Sequence, residues 1–162
     1  MRHSHAVDEH NCRDFDRQLT KSGRQLAAET GQRLNELNVV PDFIIASSAA
    51  RTMQTGQQVV AQFENDIPLI ARDDLYQSRP SVYLPAIQSE GSPDTPVVLA
   101  IGHNPGIGSL ISSLAAIRLA VPPATMGVYS IDTGNWLELS SLSTRISTLT
   151  HLIVDAQLVT EL

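Results

Sequence analysis

Cysteine and lysine are nearly missing from this chain: Cys12 and Lys21 are the only examples among 162 residues. One cysteine excludes an intrachain disulfide and suits a reducing compartment, so a cytoplasmic location is expected. One lysine, far from the glycine-rich stretch Gly102 to Gly108, excludes a P-loop, whose Gly-Lys-Ser/Thr ending is absent. No apolar run approaches the roughly 20 residues that span a bilayer, and no charged leader precedes a hydrophobic segment, so neither membrane insertion nor secretion is expected. Net positive charge is lacking as well. The formal charge is −6 and the pI near 5.2, which argues against nucleic acid or an anionic membrane as the main partner. An anion site on this body has to be a local pocket.

What is present is ordinary globular material: 42% hydrophobic and 17% charged residues, with no repeat, low-complexity tract or long linker. The length suits one domain over 1–162. Residues 8 to 18 read as a polar loop. Thr20 or Ser22 can cap a helix to about Asn38, with Leu26, Ala27, Thr30, Leu34 and Leu37 on one face. Asp42 to Ala46 reads as a strand, and Ser48 as the cap of a helix over 49–63 with Ala50, Met53 and Val60 inward. A short strand at 68–71 precedes a helix over 81–89, its Pro80 sitting where a first turn tolerates proline. Val97 to Ile101 is a continuous apolar run of the kind buried on both faces, and the glycine-rich turn after it leads into a helix through about Ala116. Residues 128–131 and 136–139, separated by Asp132-Thr133-Gly134-Asn135, read as a closing hairpin, and 143–162 as a further strand or a short helix. Alternation of strand and helix predicts an α/β/α three-layer sandwich on a mostly parallel sheet.

Two histidines and two arginines fall where such a sheet gathers ligands. Arg51 lies one turn into the helix after the 42–46 strand, and His103 directly follows the 97–101 strand. Both therefore face the carboxyl edge of the sheet, where open α/β folds bind ligands and free helix N–H groups favour anions. Arg2 and His3 join them if they too end a strand. An imidazole is a good nucleophile near neutrality, and guanidinium forks match the oxygens of a phosphoryl group.

These residues resemble the histidine phosphatase superfamily, whose hallmark is Arg-His-Gly at the end of the first strand. The likeness is to its short bacterial phosphohistidine phosphatase (SixA-type) branch, with a phosphoglycerate mutase-like fold. Arg2-His3-Ser4 matches the hallmark in two of three positions. Asp16 to Gly23 is similar to the branch's D-R-P-L-T-x-x-G, and Ser47 to Thr55 to its S-S-x-x-R-x-x-Q-T. Asp74-Leu75-Tyr76 and Val98 to Gly106, containing Gly-His-Asn-Pro-Gly, complete the order over about residues 1 to 140. The resemblance implies that His3 takes the phosphoryl group while Arg2, Arg51 and His103 bind its oxygens. Water then hydrolyses phospho-His3 without metal or cofactor. It implies a phosphorylated protein or a small phosphorylated metabolite as partner.

Two departures set further expectations. Ser4 replaces the glycine, which is strained if that backbone needs positive φ. The strand that precedes Arg-His in the family is absent ahead of Met1. Its loss removes several buried side chains, each worth about 1.5–3 kcal/mol, so the natural chain is expected to begin several residues upstream. Asp74 is the candidate general acid, and Ser48 and Arg17 are candidate phosphate or substrate contacts; Thr125 matches a small polar position. His5, His10 and Cys12 fit no closed zinc site, so no metal is expected. The alternatives are a phosphomonoesterase for a small metabolite and a phosphate-binding regulatory module without turnover.

Overall fold

The computed structural model describes residues 1–8, 12–142 and 146–159. Helix α1 (Lys21–Glu36) starts on Thr20, whose hydroxyl accepts from the Gly23 amide at 2.9 Å. Strand β1 (Phe43–Ser47) leads into α2 (Ala50–Val60), followed by β2 (Leu69–Arg72), α3 (Tyr83–Glu90), β3 (Val98–Ile101) and α4 (Gly106–Ala115). The strands pair in the order β2-β1-β3, all parallel. Strands β4 (Met126–Ile131), β5 (Ser147–Val154) and β6 (Gln157–Val159) form a second, antiparallel sheet.

Alternation along β1 divides the interior into two clusters. Ile44 and Ala46 pack with Leu34 of α1 and Val59 of α2, while Phe43 and Ile45 pack with Tyr83, Ala86, Ile107 and Ile111 of α3 and α4. The result is the helix–sheet–helix layering expected from the sequence. At Gly102, just past β3, an added Cβ would lie 1.8 Å from the Tyr83 hydroxyl, so only glycine lets α3 close against the strand that delivers His103.

Several local expectations give way to tertiary structure. Ser48 does not cap α2: the N-cap is Ala49, without a side-chain bond, and the Ser48 hydroxyl donates to the Asp73 carboxylate instead. The inward face of α2 is Arg51, Thr52, Thr55, Gly56 and Val59; Ala50, Met53 and Val60 are only partly buried. The two threonines bury at little cost because each hydroxyl donates to a carbonyl at 2.7 Å. The 128–131/136–139 hairpin does not form. β4 pairs with β5, and Trp136–Glu138 is a 3-10 turn capped by the Asn135 side chain. The described part of 143–162 is therefore strand rather than helix, with residues 143–145 and 160–162 outside the described set. Asp155 and Ala156, both at positive φ, make the two-residue turn between β5 and β6.

Residues 1–3 lie between the two sheets. The Met1 ammonium donates to the Ala100 carbonyl at 2.7 Å, and the His3 amide to that of Gly102 at 3.0 Å. On the other side the Arg2 amide donates to Thr125 at 2.9 Å and the Ala124 amide to His3 at 3.1 Å. Arg2 thus forms a parallel bridge to Gly102 at the end of β3, and residues 2–3 also bond to residues 124–125 just ahead of β4. Beyond Met1 the edges of β3 and β4 face each other across an apolar cavity of about 340 Å³, lined by Leu99, Ile107, Ile111, Met126, Val128 and Trp136 among others. Burial there lowers the Met1 amino group to a pKa of about 5.

A four-residue extension of Val and Ile ahead of Met1 is expected to occupy this slot. At about 1.5–3 kcal/mol per buried side chain, it is expected to raise the melting temperature by at least about 5 °C. Four Ser and Asp residues at the same place are expected to lower it or leave it unchanged. Thermal unfolding followed by circular dichroism checks this.

Candidate active site

Three carboxyl-terminal strand ends converge on one point. Residues 1–3 bring His3, β1 ends at Ser47 and passes the chain to Arg51 in the first turn of α2, and β3 hands over to His103. His103 and Arg51 are each 3% exposed, while His3 is half-buried and open to solvent. The two imidazole centroids stand 5.1 Å apart.

The guanidinium of Arg51 joins them. Its Nε donates to His3 Nε2 at 3.3 Å and its Nη2 to His103 Nδ1 at 3.1 Å. A guanidinium only donates, so both ring nitrogens are acceptors and carry lone pairs. The tautomers follow. His3 holds its proton on Nδ1 and donates to the Ser4 carbonyl at 2.8 Å; His103 holds its proton on Nε2 and donates to Ser47 Oγ at 2.9 Å. Each imidazole is fixed by the backbone or hydroxyl behind it, with its free nitrogen turned to Arg51.

Electrostatics agree with neutral rings. Burial, followed by the cationic Arg51 and Arg2, lowers His3 to a pKa of about 4, against the bond to the Ser4 carbonyl, which acts the other way. Burial and then Arg51 lower His103 to about 3. Arg2 approaches from the other side: its Nη1 donates to the Val121 carbonyl at 2.8 Å, and its buried Nε has no partner.

The site contains residues that motif reading did not select. Asp14, in a 3-10 turn over Asp14–Asp16, accepts from Arg51 Nη2 at 2.9 Å and the Tyr76 hydroxyl at 2.6 Å, and its backbone carbonyl accepts from Arg51 Nη1. Arg17 donates to the same carboxylate at 3.1 Å and Gln77 at 3.4 Å. The hydrogen bonds from Tyr76, Arg17 and Arg51 outweigh desolvation and hold Asp14 well below the usual carboxylate range. Tyr76 also sets its ring edge-on to His103, with centroids 5.4 Å apart. The polar loop thus carries the pocket's own anion, and the Asp16-Arg17 motif beside it was the available signal.

Other candidates lie elsewhere. Asp74 is bound to Arg72 at 2.7 Å, half exposed, in a surface group that includes Glu90, and Arg72 lowers its pKa. Ser48 is engaged by Asp73, whereas its neighbour Ser47 is the serine that reaches His103. Ser4 is not among the residues at positive φ, so the serine is unstrained; its amide donates to Thr55 Oγ1 at 3.1 Å. Thr125 is fully buried with its hydroxyl unpartnered. Among the described residues no three His, Cys, Asp or Glu side chains form a metal site; His10 lies outside them.

The depressed imidazole pKa values carry a sign. Near pH 6.5 the unfolded chain starts to bind protons that the folded rings refuse down to about 4 and 3. Their contribution to stability is therefore complete above pH 6.5 and declines as pH falls toward 4. Urea unfolding between pH 6.5 and 4 is expected to show a shallower decline in His103→Asn than in the parent.

Comparison with known proteins supports the same assignment. Residues 1–79 match the family model of the histidine phosphatase superfamily (branch 1). An uncharacterised chloroplastic protein of Arabidopsis thaliana is 28% identical over 152 residues, spanning 88% of this chain and 70% of that protein. A structure from Agrobacterium tumefaciens, assigned as a phosphohistidine phosphatase SixA, superposes with a TM-score of 0.74 at 26% identity, covering 95% of this chain and 94% of the other. One from Nakamurella multipartitia, assigned likewise, gives 0.78 at 25% identity over 94% of this chain and 91% of the other. With an imidazole pair held on one arginine at the carboxyl edge of its sheet, the chain is a phosphatase similar to the SixA-type members of the histidine phosphatase superfamily, whose family model it matches over residues 1–79.

Proposed function

We propose that the protein hydrolyses phosphohistidine, carried on a protein or on a small phosphorylated compound, through a covalent intermediate on His3. The observation that carries this reading is the tautomer of His3. Its Nδ1–H is committed to the Ser4 carbonyl, so the Nε2 lone pair is the nucleophile and faces the one buried guanidinium of the pocket.

His3 Nε2 attacks phosphorus, forming the P–N bond as the bond to the leaving nitrogen breaks. The developing charge falls on oxygens next to Arg51 and Arg2, where fixed guanidinium groups stabilise it. His103 is neutral in the empty pocket. A phosphoryl dianion beside it favours a proton on Nδ1, which then donates to an oxygen in its turn. Water attacks phospho-His3, the P–Nε2 bond breaks, the water proton leaves with phosphate, and His3 returns to its neutral form.

The choice of a P–N substrate rests on the two candidate carboxylates among the described residues, Asp14 and Asp74, being engaged by donors rather than placed to give a proton. An alkyl phosphate needs an acid for its departing alkoxide, whereas a leaving imidazole can already carry a proton on its other nitrogen. Asp14 is held ionised by its donors and Asp74 is paired on the surface with Arg72, so neither supplies that acid in the empty site.

Brief incubation with radiolabelled phosphohistidine and denaturing at alkaline pH is expected to leave acid-labile label on the protein, absent in His3→Ala. Turnover in that variant is expected to fall by about 10³-fold or more. Activity is expected to persist in EDTA, and phosphohistidine to be cleaved faster than an alkyl phosphate. Label surviving in His3→Ala, or a preference for the alkyl ester, contradicts the reading.

A further inference from the structure

Arg51 occupies a position that ordinarily repels it. It lies in the first turn of α2, where the helix dipole disfavours a cation. It is also 3% exposed and cannot shed its proton. A buried guanidinium there requires an anion. That anion comes from the chain itself, through Asp14 Oδ2 at 2.9 Å.

The donors around Asp14 are of the kinds that would surround a phosphoryl group. Oδ2 receives Arg51, the Tyr76 hydroxyl and the Gln77 amide, and Oδ1 receives Arg17. The Asp14 side chain is 26% exposed, whereas that of Arg51 is 4% exposed, so the carboxylate lies on the solvent side of the guanidinium. An incoming oxyanion that reaches Arg51 meets Asp14 first. The turn that carries Asp14 is held by Arg17, whose Nε donates to the Val7 carbonyl at 2.7 Å.

We propose that Asp14 is a resident competitor for the phosphoryl site and sets its specificity. Its carboxylate neutralises Arg51 while the pocket is empty and is displaced when a phosphoryl dianion binds. Each ligand must outbid a carboxylate already seated on two arginines. A phosphoryl dianion, with three oxygens and up to two charges, does so. A carboxylate offers nothing more than Asp14 does, so metabolite acids are turned away. The displaced carboxylate opens the Tyr76 hydroxyl and the Gln77 amide to phosphoryl oxygens. This inference rests on the pocket being the phosphoryl site.

Calorimetric titration with inorganic phosphate at pH 7.5 tests it, using the full chain, Asp14→Asn and Asp16→Asn. Among the described residues Asp16 pairs with exposed Arg13, away from Arg51, so that variant is the control. Asp14→Asn is expected to bind phosphate at least tenfold more tightly than the parent, and Asp16→Asn within twofold of it. Acetate is expected to bind Asp14→Asn and not the parent. Asp14→Ser, which removes the charge in a smaller side chain, is expected to show the same sign if the asparagine variant folds poorly. Equal or weaker phosphate binding in folded Asp14 variants overturns the proposal, because Asp14 then merely orients Arg51. Failure of the parent and all variants to bind phosphate, together with loss of the His3 phosphoenzyme, overturns the phosphoryl-site reading and this proposal with it. A normal phosphoenzyme with no tightening in the Asp14 variants overturns the competitor role alone.

Discussion

One buried guanidinium organises this molecule's chemistry. Arg51 donates to His3 Nε2, to His103 Nδ1, and to both the carbonyl and the carboxylate of Asp14. Because it can only donate, it dictates which nitrogen of each imidazole carries a lone pair. Because it cannot lose its proton, its charge adds to burial in keeping both imidazoles neutral. The tautomers of both imidazoles, and the lone pair that the proposed nucleophile His3 turns into the site, thus follow from one side chain at one helix start.

The fold exists, in this respect, to bring that helix start to the right edge. β1 is buried along its whole length between two apolar clusters, which fixes where Ser47 ends and where α2 begins. Thr52 and Thr55 bury against α2's own turns, so the helix presents Arg51 inward without leaving polar atoms unpaired. His103 is positioned by β3, and His3 by its amide's bond to the Gly102 carbonyl beside the Arg2–Gly102 bridge. Residues 1–3 bridge the two sheets through backbone hydrogen bonds, beside an apolar cavity.

Much of this was legible in the sequence, for definable reasons. Helix α1, β1 and β3 carry strong periodic or continuous apolar patterns, and they form nearly as read. The carboxyl-edge rule was enough to bring Arg51 and His103 together, because both follow strands directly. Asp14 was not legible. It sits in a polar loop with no periodicity, and its partners Arg51 and Tyr76 are distant in sequence. Ser47 and Ser48 are equivalent on paper; only the strand end decides that the first turns to His103 and the second to Asp73. The false hairpin at 136–139 arose because Asp132 to Asn135 has turn chemistry, while the true partner of β4 lies beyond it at 147–154. Met53 and Val60 do pack against the core, but the inner face of α2 is centred on Thr52, Thr55 and Val59, because the threonine hydroxyls are satisfied by nearby carbonyls, which a hydrophobicity pattern does not register.

Nitrogen-15 NMR of the imidazole rings in the ligand-free protein probes the arrangement directly. At pH 7 His3 is expected to be neutral with its proton on Nδ1, and His103 neutral with its proton on Nε2. Neither is expected to titrate until the pH falls below about 5, consistent with pKa values of about 4 and about 3. An imidazolium at pH 7, or the opposite tautomer in either ring, would contradict the central role given to Arg51.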